Sequence, residues 1–74
     1  MSTEQNYIYD LGQELVSLAK RIESESQGSE EPFQRGRLFA IYEVLSLMNQ
    51  QAEAFGLTGN QIGLEGFDIE KLLK

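Results

Sequence analysis

A chain of 74 residues that contains neither cysteine nor histidine has few ways to stabilise a fold or to carry out chemistry. Disulfides, thiolate zinc sites and imidazole ligands are excluded, which leaves oligomerisation as the means by which so small a core gains stability. The formal net charge of −6 repels phosphate backbones, so we expect no direct nucleic-acid partner.

The start of the chain, Met-Ser-Thr-Glu-Gln-Asn, has no basic segment followed by an apolar run. No uninterrupted apolar stretch of about 18 residues occurs further along. We therefore expect no secretory signal and no membrane partner, and we predict a cytoplasmic location.

The first predicted helix covers residues 3 to 24. Ser2 and Gln5 fit the capping-box pattern that often begins a helix. The apolar residues that follow recur at spacings of three and four, which predicts one buried seam: Ile8, Leu11, Leu15, Leu18 and Ile22. A segment rich in Ser and Glu around Gly28 then predicts an exposed connection.

The second predicted helix covers residues 31 to 55. Pro32 suits its first turn, and Gly56 suits the left-handed residue that follows a helix end. A seam of helical period matches that of the first helix and predicts an antiparallel hairpin: Leu38, Ile41, Leu45, Met48, Ala52 and Phe55.

The second helix carries more apolar residues than one neighbour can cover. An adjacent stripe consists of Phe33, Ala40, Val44, Leu47 and Ala54. The C-terminal tail, residues 57–74, is rich in glycine and ends in a predicted short helix over residues 68–73, which Asp68 can cap. We expect this tail to cover part of the hairpin and to leave the adjacent stripe for another molecule.

The sequence thus predicts a single all-α domain over residues 1–74. Its predicted architecture is a two-helix antiparallel hairpin plus a short C-terminal helix, dimerising into a four-helix-bundle-like assembly. The predicted dimer interface, a name used below for this set, consists of Phe33, Gly36, Arg37, Ala40, Val44 and Leu47.

Three residues of the second helix depart from its pattern. Gly36 indicates either fraying near Pro32 or close approach of another backbone. Arg37 projects toward apolar residues, and it either extends its charge to water or pairs with a carboxylate of the 23–31 segment or of a second subunit. Phe39 lies on the polar side of the helix. We expect either that the tail covers it, through Phe67 or Leu72, or that a partner protein contacts it.

The residue inventory predicts no enzyme and no cofactor. Histidine, the commonest general base, and cysteine, the commonest soft nucleophile, are both missing. No phosphate-binding or dinucleotide-binding sequence motif occurs. We expect a protein that acts through protein contacts, as a homodimer, with an unknown further protein partner possible. The alternatives are an acidic inhibitor that imitates nucleic acid in a basic groove of its partner, and a small-molecule binder with a cavity near Tyr7, Tyr42 and Phe55.

Overall fold

The computed structural model describes residues 2–73, which form two long helices and a tail that folds back on them. Helix α1 spans Thr3–Ser26 and helix α2 spans Pro32–Ala54. The tail contains two short 3₁₀ helices, Gly59–Ile62 and Ile69–Leu73, the second of which lies where a short C-terminal helix was predicted. The all-α class and the helical hairpin are confirmed.

The helix ends follow the predicted capping residues. The Ser2 hydroxyl oxygen accepts a hydrogen bond from the Gln5 amide at 3.1 Å, and the Gln5 side-chain oxygen accepts one from the Ser2 amide at 2.7 Å. At the end of α2, Gly56 has a φ of 73°, and the Leu57 amide donates to the Ala52 carbonyl at 2.7 Å. This geometry satisfies the last carbonyls of α2 and turns the chain into the tail.

The core is formed jointly by the hairpin and the tail. Its largest fully buried side chains are Leu45 of α2 and Leu72 of the tail. The buried apolar residues are Ala19, Ile22, Ile41, Leu45, Ala52, Ile62, Leu64 and Leu72. Because three of these eight belong to the tail, the tail is part of the fold and covers one side of the hairpin.

The tail crosses α1 at two glycines. A β-carbon at Gly12 would overlap the carbonyl oxygen of Ile62, and one at Gly63 would overlap the carbonyl oxygen of Tyr9. The Gln13 side-chain amide donates to the Gly63 carbonyl at 2.6 Å. This crossing therefore depends on the absence of side chains at both glycines, together with one hydrogen bond across the contact.

The tail also forms polar contacts at its edges. The Tyr9 hydroxyl donates to the Glu65 carboxylate at 3.0 Å, and this hydrogen bond, with the negative charge of Glu65, raises the pKa of Tyr9 above its ordinary value of 10.0. The Tyr42 hydroxyl donates to the Glu70 carboxylate at 3.4 Å, and Asp68 caps the second 3₁₀ helix by accepting from the Glu70 amide.

The two predicted seams are buried toward the connection, but at the other end of the hairpin only Ala52 of the seam is buried. Ile22, Ile41 and Leu45 are buried, whereas Ile8 and Leu11 keep more than a third of their surface and Phe55 keeps 77%. The prediction that these last three lie in the seam between the helices was wrong. The tail packs on the side of α1 that carries Gly12, and within residues 2–73 it leaves Ile8, Leu11 and Phe55 at that end exposed.

None of the helices within residues 2–73 is long and apolar enough to cross a membrane. The molecule is elongated, with extents of 42 × 20 × 18 Å.

Candidate interaction surface

Most of the predicted dimer interface is exposed on one side of α2. Phe33 keeps 71% of its accessible surface, Leu47 keeps 58% and Val44 keeps 45%. Gly36 and Ala40 between them are exposed as well. The hairpin and the tail therefore leave a continuous apolar line along α2, as the count of apolar faces in the sequence predicted.

This line lies on the side of α2 away from the tail. Tyr42 bonds to the tail through Glu70, and two residues further on, at about 100° per residue, Val44 points to the opposite side of the helix. The same reasoning applies to α1, where Tyr9 contacts the tail and Tyr7 and Leu11 point away from it. One face of the hairpin is thus covered by the tail, and the other is open.

The open face extends beyond the predicted interface. Tyr7 and Phe55 are among the most exposed large side chains of the described residues, and Leu11 is partly exposed. Sequence reasoning assigned Leu11 and Phe55 to the seam between the helices. For Phe55, the signal that could have indicated exposure is its position directly after the last residue of α2, immediately before the chain turns at Gly56.

Arg37 is paired within its own chain. Its guanidinium donates to the Glu25 carboxylate at 2.8 Å and to the Gln34 side-chain oxygen at 3.2 Å, and it lies 5.9 Å from the centre of the Phe33 ring. Glu25 belongs to the last turn of α1, so the ion pair joins the two helices near the connection. Of the two possibilities left open for Arg37, the structure shows pairing with a carboxylate of the 23–31 segment.

Gly36 stands inside a regular helix without a neighbour that would require it. α2 is helical from Pro32 onwards, and a β-carbon at Gly36 would meet no atom of the described chain within 4 Å other than those of the adjacent residues and backbone of α2 itself. Glycine at an interior helix position costs about 1 kcal/mol relative to alanine. Contacts within residues 2–73 therefore give no reason for this glycine.

Phe39 is not buried by the tail. The ring keeps 52% of its accessible surface and stacks on Tyr42, with ring centres 6.1 Å apart. The expectation that the tail covers this residue through Phe67 or Leu72 was wrong, because Phe39 keeps about half of its accessible surface. Phe39 therefore remains available as a partner contact, on a different side of α2 from the predicted dimer interface.

An open groove of about 760 Å³ lies between α2 and the tail. Its lining includes Tyr42, Glu43, Phe67, Asp68 and Glu70. Neither Tyr7 nor Phe55 lines it, so the three aromatic residues suggested for a ligand cavity do not meet around this groove. Within residues 2–73, no group of three or more carboxylates is arranged to hold a metal ion.

Comparison of the chain with protein-family models, with curated proteins and with solved structures found no match.

Proposed function

We propose that this protein is a non-catalytic helical module that forms a homodimer through the predicted dimer interface and acts through protein contacts. The observation that carries the proposal is the exposed apolar line on α2, in which Phe33, Val44 and Leu47 each keep 45% or more of their surface. Soluble monomers rarely expose contiguous apolar surface of this kind unless it binds something.

The small size of the core supports a second copy of the chain as the molecule that covers the open face. Only Leu45 and Leu72 are large side chains that the described chain buries completely, and the open face has no further chain segment on it. A chain of this length buries about 60% of its unfolded surface and commonly needs outside help to be stable. A dimer would convert the single layer of two helices into a bundle with a core between the layers.

The six residues of the predicted dimer interface include no unpaired charge. Arg37 is the charged residue of the predicted interface, and Glu25 of the same chain neutralises it. A buried charge without a partner would oppose association by several kcal/mol, whereas a pair formed in advance lowers that cost. The surface is therefore suited to an apolar partner face, such as its own.

The acidic-inhibitor alternative has weaker support. In the acidic segment 23–31, Glu25 is paired with Arg37 and Glu30 with Arg35. Imitation of a phosphate backbone requires a regular array of free carboxylates, and these pairs interrupt it. A cytoplasmic location and a further protein partner stay predictions from the sequence.

Sedimentation velocity of two matched charge variants tests the proposal. Val44→Glu places a carboxylate inside the predicted contact, and the two-fold symmetry places one from each subunit there. Gln50→Glu adds the same charge on the polar side of α2, where Gln50 is exposed. We expect wild type and Gln50→Glu to sediment as dimers and Val44→Glu as monomer or unfolded chain.

Circular dichroism of each variant separates loss of the dimer from loss of the fold. If Val44→Glu sediments as a folded dimer like wild type, the contact does not use this side of α2. Leu47→Glu is a second variant of the same design and should behave as Val44→Glu does.

A further inference from the structure

The exposed apolar line on α2 has a symmetric spacing. From Phe33 to Leu47 its residues are Phe33, Gly36, Ala40, Val44 and Leu47, so the steps along the helix are three, four, four and three, and Ala54 follows seven residues later, outside this pattern. Ala40 is at the centre of this pattern, with Gly36 and Val44 equally far from it on either side, and Phe33 and Leu47 further out. A two-fold axis perpendicular to α2 at Ala40 would therefore place each residue of the line opposite a residue of the same line in the second copy.

We propose that two copies pair their α2 helices antiparallel, with the two-fold axis at Ala40. This register rests on the homodimer proposed above and specifies its geometry. It sets Ala40 against the partner's Ala40, Gly36 against the partner's Val44, and Phe33 against the partner's Leu47.

The sizes of the paired side chains agree with this register. The crossing point carries the small residue Ala40, and the helix-to-helix distance at a crossing is set by the side chains there. On either side, a glycine without a side chain meets a branched valine, so a projection on one helix faces a depression on the other. The outermost pair joins two large apolar side chains, Phe33 and Leu47, both exposed in the single chain.

Gly36 supplies an independent reason for the register. Apart from the adjacent residues and backbone of α2 itself, no atom of the described chain lies within 4 Å of the place where its β-carbon would be, so packing within its own subunit does not require a glycine. In the proposed register the partner's Val44 occupies this space. The loss of helix propensity at Gly36 is then explained by close packing across the dimer.

The register also predicts which apolar residues stay outside the contact. The partner's Pro32 lies opposite residue 48, so the two α2 helices overlap over residues 32 to 48. Phe55 lies beyond this overlap, although it is the most exposed large apolar side chain of the described residues. Non-specific association of apolar surface would use Phe55, whereas the proposed contact does not.

Disulfide cross-linking of single-cysteine variants tests the register, because the natural chain contains no cysteine. Ala40→Cys places two thiols beside the two-fold axis, within the reach of a disulfide. Gly36→Cys places them eight residues of helical rise apart, about 12 Å along the axes, too far to be joined. Val44→Cys separates its thiols equally and is a matched second control.

In a glutathione redox buffer, we expect Ala40→Cys to form covalent dimers about tenfold or more faster than Gly36→Cys or Val44→Cys, because thiols held together react at high effective concentration. A mixture of the Gly36→Cys and Val44→Cys proteins should form the mixed disulfide. Phe55→Ser should leave wild-type dimerisation unchanged, whereas Phe33→Ser should weaken it.

The possible failures are distinguishable. A wild-type dimer in which Ala40→Cys, folded by circular dichroism, does not cross-link would refute the register and leave the homodimer standing. Equal self-cross-linking of all three variants would indicate a parallel pair or random collision and would also refute it. A monomeric wild-type chain would refute both the register and the proposed function.

Discussion

Gly12 of α1 lies directly under the carbonyl group of Ile62, fifty residues further along the chain. A β-carbon at residue 12 would overlap the Ile62 carbonyl oxygen and would also crowd the α-carbon of Gly63. The obstructing atoms belong to the backbone, so no side-chain rotation can make room. This contact fixes the tail on one side of the hairpin and thereby decides which side remains open.

Gly12→Ala should destabilise the protein although alanine is the better helix former. Propensity alone would stabilise α1 by about 1 kcal/mol, whereas overpacking typically costs 1–3 kcal/mol and more when backbone must move, so we expect a net loss of at least about 1 kcal/mol. Urea unfolding at one protein concentration measures it. Gly59→Ala is the control, because a β-carbon there meets no atom of the described chain within 4 Å beyond its own local segment, and it should change stability by less than about 0.5 kcal/mol. A stabilised Gly12→Ala protein would mean that the tail does not dock as described.

Leu72 and Leu73 are neighbouring leucines whose truncation tests how the end of the tail docks. Leu72 is almost fully buried, whereas Leu73 keeps 48% of its surface. Truncation of a buried leucine to alanine costs about 2–5 kcal/mol, so Leu72→Ala should lower the free energy of unfolding by that amount. Leu73→Ala should cost less than about 1 kcal/mol. Equal effects in denaturant unfolding would contradict the docking of the second 3₁₀ helix.

Phe39→Ala should have a small effect. The ring is half exposed and its described aromatic contact is the stack on Tyr42, which is worth about 0.5–1.5 kcal/mol. A loss of about 3 kcal/mol or more, typical of buried aromatic residues, would show that something covers the ring. Denaturant unfolding of this variant gives the answer, and its sedimentation should remain that of the wild-type protein.

Tyr9 should give the protein a stability change at alkaline pH. Its pKa is raised in the folded state by the bond to Glu65, so the neutral hydroxyl is favoured by folding. The contribution is fully present below the ordinary pKa of 10.0 and is lost as the pH rises through the folded pKa. Glu65→Gln should lower the pKa of Tyr9 toward its ordinary value, and Tyr9→Phe should remove the titration.

Ultraviolet titration of tyrosinate, with the Tyr9→Phe protein subtracted, isolates this group. Titration of Tyr9 at its ordinary value in the wild-type protein would contradict the contact between α1 and Glu65. The contact lies on the tail side of the hairpin, so oligomerisation should not alter the result.

Local features of this fold could be predicted from the sequence because they depend on neighbouring residues. The Ser2 and Gln5 capping box and the left-handed Gly56 occur as predicted. Each is a hydrogen-bonding pattern that closes within a few residues, so spacing alone identifies it.

Contacts distant in sequence could not be predicted in the same way. The meeting of Gly12 with Ile62 leaves no periodic pattern, and the fully buried Ala19 lies beside the predicted seam of α1. Helical spacing shows that a face is apolar but not which neighbour covers it. For this reason Phe55 was assigned to the seam, and cover by the tail was expected for Phe39.

The predicted dimer interface could be predicted from the sequence only in part. Counting apolar faces correctly predicted that Phe33, Val44 and Leu47 would stay exposed in the single chain. The occupant of that face remains the proposed second copy.

The molar mass of the wild-type protein by sedimentation equilibrium, at micromolar concentrations and moderate salt, tests this central claim most directly. We predict a folded species of twice the 8.4 kDa of one chain, which dissociates on dilution with a single monomer–dimer constant. A chain that stays monomeric at these concentrations while its circular dichroism and cooperative unfolding show a stable fold would contradict the claim.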